Sequence, residues 1–159
     1  MSNVSELNVW TGKVQKDWVD YNGHMNDAAY AKVFSLSLDA LMEHIGLDEA
    51  GRKELAYTIF TLEAHLKYVS EVHESQTLHV AIKLLDADAK RMHLWFEMED
   101  GEGNTVATSE QMVMGMDQSI GRPAPFPTKV EAEIAKLPLL KKDEWPESAN
   151  QPMGIRRKK

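Results

Sequence analysis

The chain has 159 residues, no cysteine and a formal net charge of −7. That length suits one domain with a core large enough to need no covalent staple, and the missing thiols exclude a cysteine nucleophile, thiolate metal ligands and a disulfide framework. The acidic balance argues against a nucleic-acid partner, and no apolar run approaches the roughly 20 residues of a membrane helix.

The opening MSNVSELNVW lacks the basic start and apolar run of a signal peptide, so a cytoplasmic protein is expected, touching neither nucleic acid nor membrane. Residues 8–14 mix β-branched and polar side chains and predict a first strand. DYNGHMN, residues 20–26, is rich in turn formers. A helix should follow at once, capped by Asn26 or Asp27. Tyr30, Phe34, Leu38, Leu41, Met42 and Ile45 recur at spacings of three and four on one face, while Ala28, Ala31 and Ser35 leave a flank open to close approach. Gly46 stands where a left-handed C-terminal cap belongs.

After Gly51 the period becomes two. Thr58, Phe60, Leu62, Ala64, Leu66 and Tyr68 are expected to form the apolar face of a strand with one wet side. Leu78 to Leu84 and Met92 to Met98 repeat the alternation, with turns at residues 86–90 and 100–104, and a last strand runs from Thr105 to about Met116. Pro123, Pro125 and Pro127 end the sheet, and Thr128 is placed to cap a short helix through Leu137. The order predicts a single α+β domain over residues 1–159. An antiparallel sheet wraps one long helix, with a core at about 8–137 and an irregular basic tail at 138–159. One such sheet leaves a free edge and an uncovered helix flank, which two copies would cover, so a homodimer or homotetramer is expected.

The chemistry concentrates in residues 18–30, WVDYNGHMNDAAY. Free N–H groups at a helix start favour an oxyanion. Gly23 permits close backbone approach, and Asp20 can reach over the same spot as nucleophile or general base. An Asp before an Asn-Gly turn also serves simply as a turn residue, bonding nearby amides. His24 is either an acid–base group or a hydrogen-bonding orienter of the loop. Asn26 either fixes Asp20 or a water or caps the helix, and a cap with some positioning role is the reading preferred.

The pattern D-x-x-G-H-x-N before a helix with an early tyrosine, together with the element order over about residues 8–117, resembles the 4-hydroxybenzoyl-CoA-thioesterase-type hotdog family. The resemblance implies an acyl-CoA thioesterase that needs no cofactor and no metal, with Asp20 as the catalytic carboxylate. It places the backbone amides that polarise the carbonyl near Asn26, Asp27 and Ala28. Many relatives carry a second acid two residues before the first; here Trp18 stands there. The longer stretch WVDYNGHMNDAAYAKVFS and the C-terminal PMGIRRK are similar to thioesterases of bacterial carnitine breakdown, which implies betainyl-CoA as substrate. Its quaternary ammonium would suit aromatic faces. Trp18, Tyr21, Tyr30, Tyr68 and Trp95 are available, unless they are core or rim residues.

Glu110 shares a parity with Val106, Met112 and Met114 and reads as an inward acid of the site, unless a one-residue bulge returns it to the surface. Glu63 and His65, with His73 and His79, form no recognised ligand pattern and read as a solvated or subunit-facing surface. For an anionic ligand the candidate cations are Lys90, Arg91, Arg122 and the tail Arg156, Arg157, Lys158 and Lys159; the tail also reads as a solvated end. Two other functions compete: a hotdog hydratase built on His24 and Glu110, and a non-catalytic acyl-CoA or quaternary-amine binding module.

Overall fold

The computed structural model describes residues 6–158, so Lys159 of the basic tail lies outside it. The elements are β1 (Leu7–Lys13), α1 (Asp27–His44), α2 (Glu49–Leu55), β2 (Tyr57–Tyr68), β3 (Thr77–Ala87), β4 (Arg91–Asp100), β5 (Thr105–Asp117), β6 (Arg122–Pro123) and α3 (Thr128–Ile134), with short 3-10 turns at Lys16–Trp18 and Lys142–Glu144. The sheet runs β1-β3-β4-β5-β2, every neighbour antiparallel, with β6 added beside β5.

The predicted stripe on α1 is what the sheet covers. Tyr30, Val33, Phe34, Leu38, Leu41 and Met42 are buried against Val80, Ile82 and Leu84 of β3, Met92, Leu94, Phe96 and Met98 of β4, and Val113 of β5. Phe34 meets Phe96 edge-on at 6.1 Å. Each large side chain so buried contributes about 1.5–3 kcal/mol, which makes this seam the main source of cohesion. The helix ends as its sequence requires, with Gly46 at φ +93°.

Four expectations need correction. A second helix, α2, interrupts the passage to the sheet, because the Asp48 carboxylate accepts from the Gly51 N–H and caps it. None of its residues is buried, so it left no apolar period to detect. The predicted apolar face of β2 is split by a bulge between Thr61 and Glu63. Ile59 faces the core, while Phe60 and Leu62 are about half exposed on β2, one of the sheet's two edge strands. Thr128 is the first residue of α3, not its cap; Pro127 precedes it.

Finally, residues 138–150 are not loose. Residues 138–140 pair beside β3 as a short parallel bridge, where Leu84 N–H donates to Pro138 O and Leu140 N–H to Leu84 O, both at 2.9 Å, and the chain then turns onto the outer face. Trp145 and Ala149 join Leu85 and Trp95 in a second small core.

Tyr57 ties the start of β2 to the far end of the sheet. Its ring crosses Gly115, where a Cβ would collide with the hydroxyl, and the hydroxyl donates to Ala124 O at 2.7 Å. Burial, with a smaller push from Asp117, raises this phenol to about 12. A folded pKa above the unfolded value means the folded state holds its proton more tightly. The contribution is complete below about pH 10 and is lost as pH climbs through about 12. The urea midpoint of the wild type should therefore fall between about pH 9 and about pH 11 more steeply than that of Tyr57→Phe. Equal slopes would show that Tyr57 is not the group responsible.

Candidate active site

The segment between β1 and α1 folds back on itself and is pinned by one residue. Asn26 donates from both its backbone N and its Nδ2 to the Trp18 carbonyl, each at 2.9 Å. Its Oδ1 accepts from the Ala29 N–H at 3.0 Å, capping α1. Inside this loop Asp20 N–H donates to His24 O at 2.8 Å, Gly23 N–H donates to Asp20 O at 2.9 Å, and Gly23 sits at φ +79°. Asp20 is exposed. Its Oδ1 accepts from the Asn22 N–H at 2.8 Å and the His24 N–H at 3.1 Å, as a turn residue does, while Oδ2 has no hydrogen-bond partner among the described residues. One carboxylate oxygen is held and the other is free.

Asp27 opens α1, so its N–H lies outside the intrahelical ladder. The next amide, Ala28 N–H, donates to the Asp27 carboxylate at 3.0 Å and is the less available of the two. The His24 ring turns away from Asp20 and meets Glu71 at 3.3 Å.

The aromatic candidates separate. Trp18 is 9% exposed and packs in the core, with the Lys32 ammonium 5.9 Å above its ring. Tyr30 is buried and donates its hydroxyl to Ser70 O at 3.1 Å; burial raises its pKa. Tyr68, half exposed, meets the Tyr30 ring edge-on at 5.2 Å. Trp95 is buried under the tail on the opposite face of the sheet. Tyr21 is 96% exposed at the tip of the turn. A single chain therefore does not assemble these rings around one cation.

Glu110 is a correction. The register skips Val106, which turns into the core, and leaves Glu110 beside Trp95 and His65 on the outer face. There it is bound to His93 at 2.6 Å and accepts from the Asn150 N–H at 2.8 Å. It lies on the other side of the sheet from α1, so His24 and Glu110 cannot flank one acyl chain as a hydratase requires. Glu63 and His65 also point outward, lining with His93, Glu110 and residues 150–153 a cavity of about 570 Å³. No group of three potential metal ligands occurs among the described residues.

Sequence reasoning missed the loop between β2 and β3. Met25 N–H donates to Val72 O at 2.8 Å, and His24 bridges to His73. Nothing in the spacing of residues 69–76 points to the turn; only the antiparallel return of the chain brings them together.

Residues 14–134 match the family described as the Thioesterase-like superfamily. A betainyl-CoA thioesterase of Pseudomonas aeruginosa is 42% identical over 138 residues, 86% of this chain and 86% of that protein. An L-carnitine dehydrogenase/betainyl-CoA thioesterase of Rhizobium meliloti is 36% identical over 126 residues, 79% of this chain but only 25% of that longer protein. Among solved structures, a Staphylococcus aureus protein in complex with CoA superposes with a TM-score of 0.86 at 31% identity, covering 98% of this chain and 100% of that one.

The pinning role of Asn26 is measurable without any substrate. Asn26→Ala removes the Oδ1 cap and the Nδ2 donor while keeping the backbone N–H bond to Trp18 O, and should cost about 2 kcal/mol in urea unfolding. Asn26→Asp, which keeps the cap oxygen but loses the Nδ2 donor, should lose about half as much. No loss in Asn26→Asp would mean that the Nδ2 bond to Trp18 O carries nothing, and equal losses in the two variants would mean that the cap carries nothing.

Proposed function

Because this chain belongs to the Thioesterase-like superfamily, we propose that it hydrolyses an acyl-CoA thioester and that betainyl-CoA is its substrate. The observation that carries the mechanism is the half-tied carboxylate of Asp20 on a rigid turn beside the start of α1. Two amides fix Oδ1, so Oδ2 is aimed without further ordering. It acts in one of two ways. It attacks the thioester carbonyl carbon, expels the CoA thiolate and leaves a mixed anhydride for water to cleave; or it takes a proton from the water that attacks. In both, charge develops on the carbonyl oxygen, and the Asp27 N–H at the positive end of α1 is the group to receive it. His24 and Asn26 hold the turn, and Ala28 supplies a second amide when the Asp27 side chain swings away.

The CoA-bound relative supports the leaving group. Arg91 is committed to Asp88 through two hydrogen bonds, which leaves Lys90, Arg122 and the tail Arg156, Arg157 and Lys158 for the phosphates. For the acyl end, Trp18 and Tyr30 serve as wall, since one carries Lys32 over its face and the other is buried. Tyr21 and Tyr68 are the rings free to face a quaternary ammonium. Two copies pair through β2, the edge strand whose Phe60 and Leu62 are exposed together with Val69 beyond its end.

Release of free thiol from a panel of acyl-CoAs tests this directly. Betainyl-CoA should turn over faster than hydroxybenzoyl and fatty acyl thioesters, and Asp20→Asn should lower kcat by roughly 10²–10⁴. Turnover that survives the substitution would remove Asp20 from the mechanism, and no turnover by the wild type would favour a binding module. For the assembly, Leu62→Lys should shift the sedimentation of the protein toward the monomer; an unchanged profile would place the interface elsewhere.

A further inference from the structure

We propose that Glu71, braced by His73, positions the Asp20 turn through the His24 ring; this rests on the reading of Asp20 as the catalytic carboxylate. The loop that carries Glu71 is itself fixed. Val69 and Ser70 both donate their N–H to Val106 O, at 2.9 and 3.1 Å, and Ser75 N–H donates to Val14 O at 2.9 Å. His73 N–H donates to Gln76 Oε1 at 2.6 Å, and Tyr30 holds Ser70 O. Val72 is fully buried, with its carbonyl taken by Met25 N–H. Residues 69–76 are thus a firm platform under the turn.

From that platform two side chains grip one ring. Glu71 Oε2 lies 3.3 Å from His24 Nε2, and the His73 ring meets the His24 ring edge-on at 4.7 Å. The backbone of His24 in turn holds Asp20 at two points: its N–H donates to Asp20 Oδ1 and its carbonyl accepts from the Asp20 N–H. Rotation of the His24 ring is therefore transmitted to the carboxylate through one residue. The Glu71 and His24 side chains are 73% and 33% exposed, so the pair adds little to stability. What it fixes is direction. Neither Glu71 nor His73 touches Asp20 in the structure, so both are positioning residues.

The test compares Glu71→Ala and Glu71→Gln by steady-state kinetics on the best-cleaved acyl-CoA, thermal unfolding, and the amide resonances of Asn22 and His24, which report the bonds to Asp20 Oδ1. Glu71→Ala should lower kcat roughly tenfold with KM within about twofold, leave Tm unmoved and shift both amides. Glu71→Gln keeps the length and polarity of the contact at His24 Nε2 without the charge and should restore most of kcat. Wild-type kcat with unmoved amides in Glu71→Ala would overturn the proposal. So would a loss that Gln does not rescue, or a KM that moves with kcat, because Glu71 would then act by charge on the substrate. If the wild type cleaves no thioester, the functional reading fails by itself, and the two amide resonances alone decide whether Glu71 holds the turn.

Discussion

Asn26 directs two hydrogen bonds at the Trp18 carbonyl and takes a third from Ala29, and the geometry of the whole site hangs on that arrangement. The helix start needs a side-chain acceptor for its unpaired amides, and the loop after β1 needs an anchor at its return. One residue answers both needs. Because α1 is buried along its length, its first turn cannot slide, and the loop inherits that rigidity. The carboxylate of Asp20 is then placed by backbone alone, through amides at positions 22 and 24. Under the proposed chemistry that is preorganisation at little side-chain entropy cost, since the group that must not move is held by groups that are already fixed.

The sheet separates two chemistries by parity. Its inner face is apolar apart from Ser109 and Gln111, which satisfy one another at 3.1 Å. Its outer face collects His79 with Glu99 and His93 with Glu110 as close pairs. Buried acids are costly unless partnered, and Glu110 meets that demand with an imidazole on one oxygen and the Asn150 amide on the other. The tail therefore covers part of the outer face, and Glu110 lies there because His93 and the Asn150 amide partner it.

Long periodic elements were legible because burial imposes their period: α1 and the strands β3, β4 and β5 lie where their apolar repeats place them. Each miss has a local cause. Helix α2 buries nothing, so no stripe announces it. Single-residue bulges at Leu62 and Val106 reverse parity, and nothing in the composition marks either one. The parity of Phe60 points inward and the residue stands outward; that of Glu110 points inward too, and the bulge at Val106 is the one-residue shift that returns it to the outer face. Within the site, Asp20, Gly23 and Asn26 were visible because a tight turn and a helix cap demand particular residue types at fixed spacing. Glu71 and His73 were not, since a contact made by chain return leaves no spacing to recognise.

Under the proposed function, the aromatic residues differ in what each offers a cationic acyl group. The ammonium of Lys32 stands over Trp18, so that face already holds a positive charge, and a quaternary ammonium brought there would meet repulsion as well as the ring. Tyr30 spends its hydroxyl on Ser70 and its ring on the core. Trp95 is buried under the tail, which leaves Tyr21 and Tyr68 at the surface. Tyr68 packs on Tyr30, in the first turn of α1, and its phenol is raised by burial and by the charge of Asp27, which places it at the helix start where the thioester would sit. It also ends β2, the edge through which two copies would join. The proposed acyl pocket and the proposed interface thus share a border. Under these two proposals a second copy covering the β2 edge would also close over Tyr68, and substrate selection and assembly would share that residue.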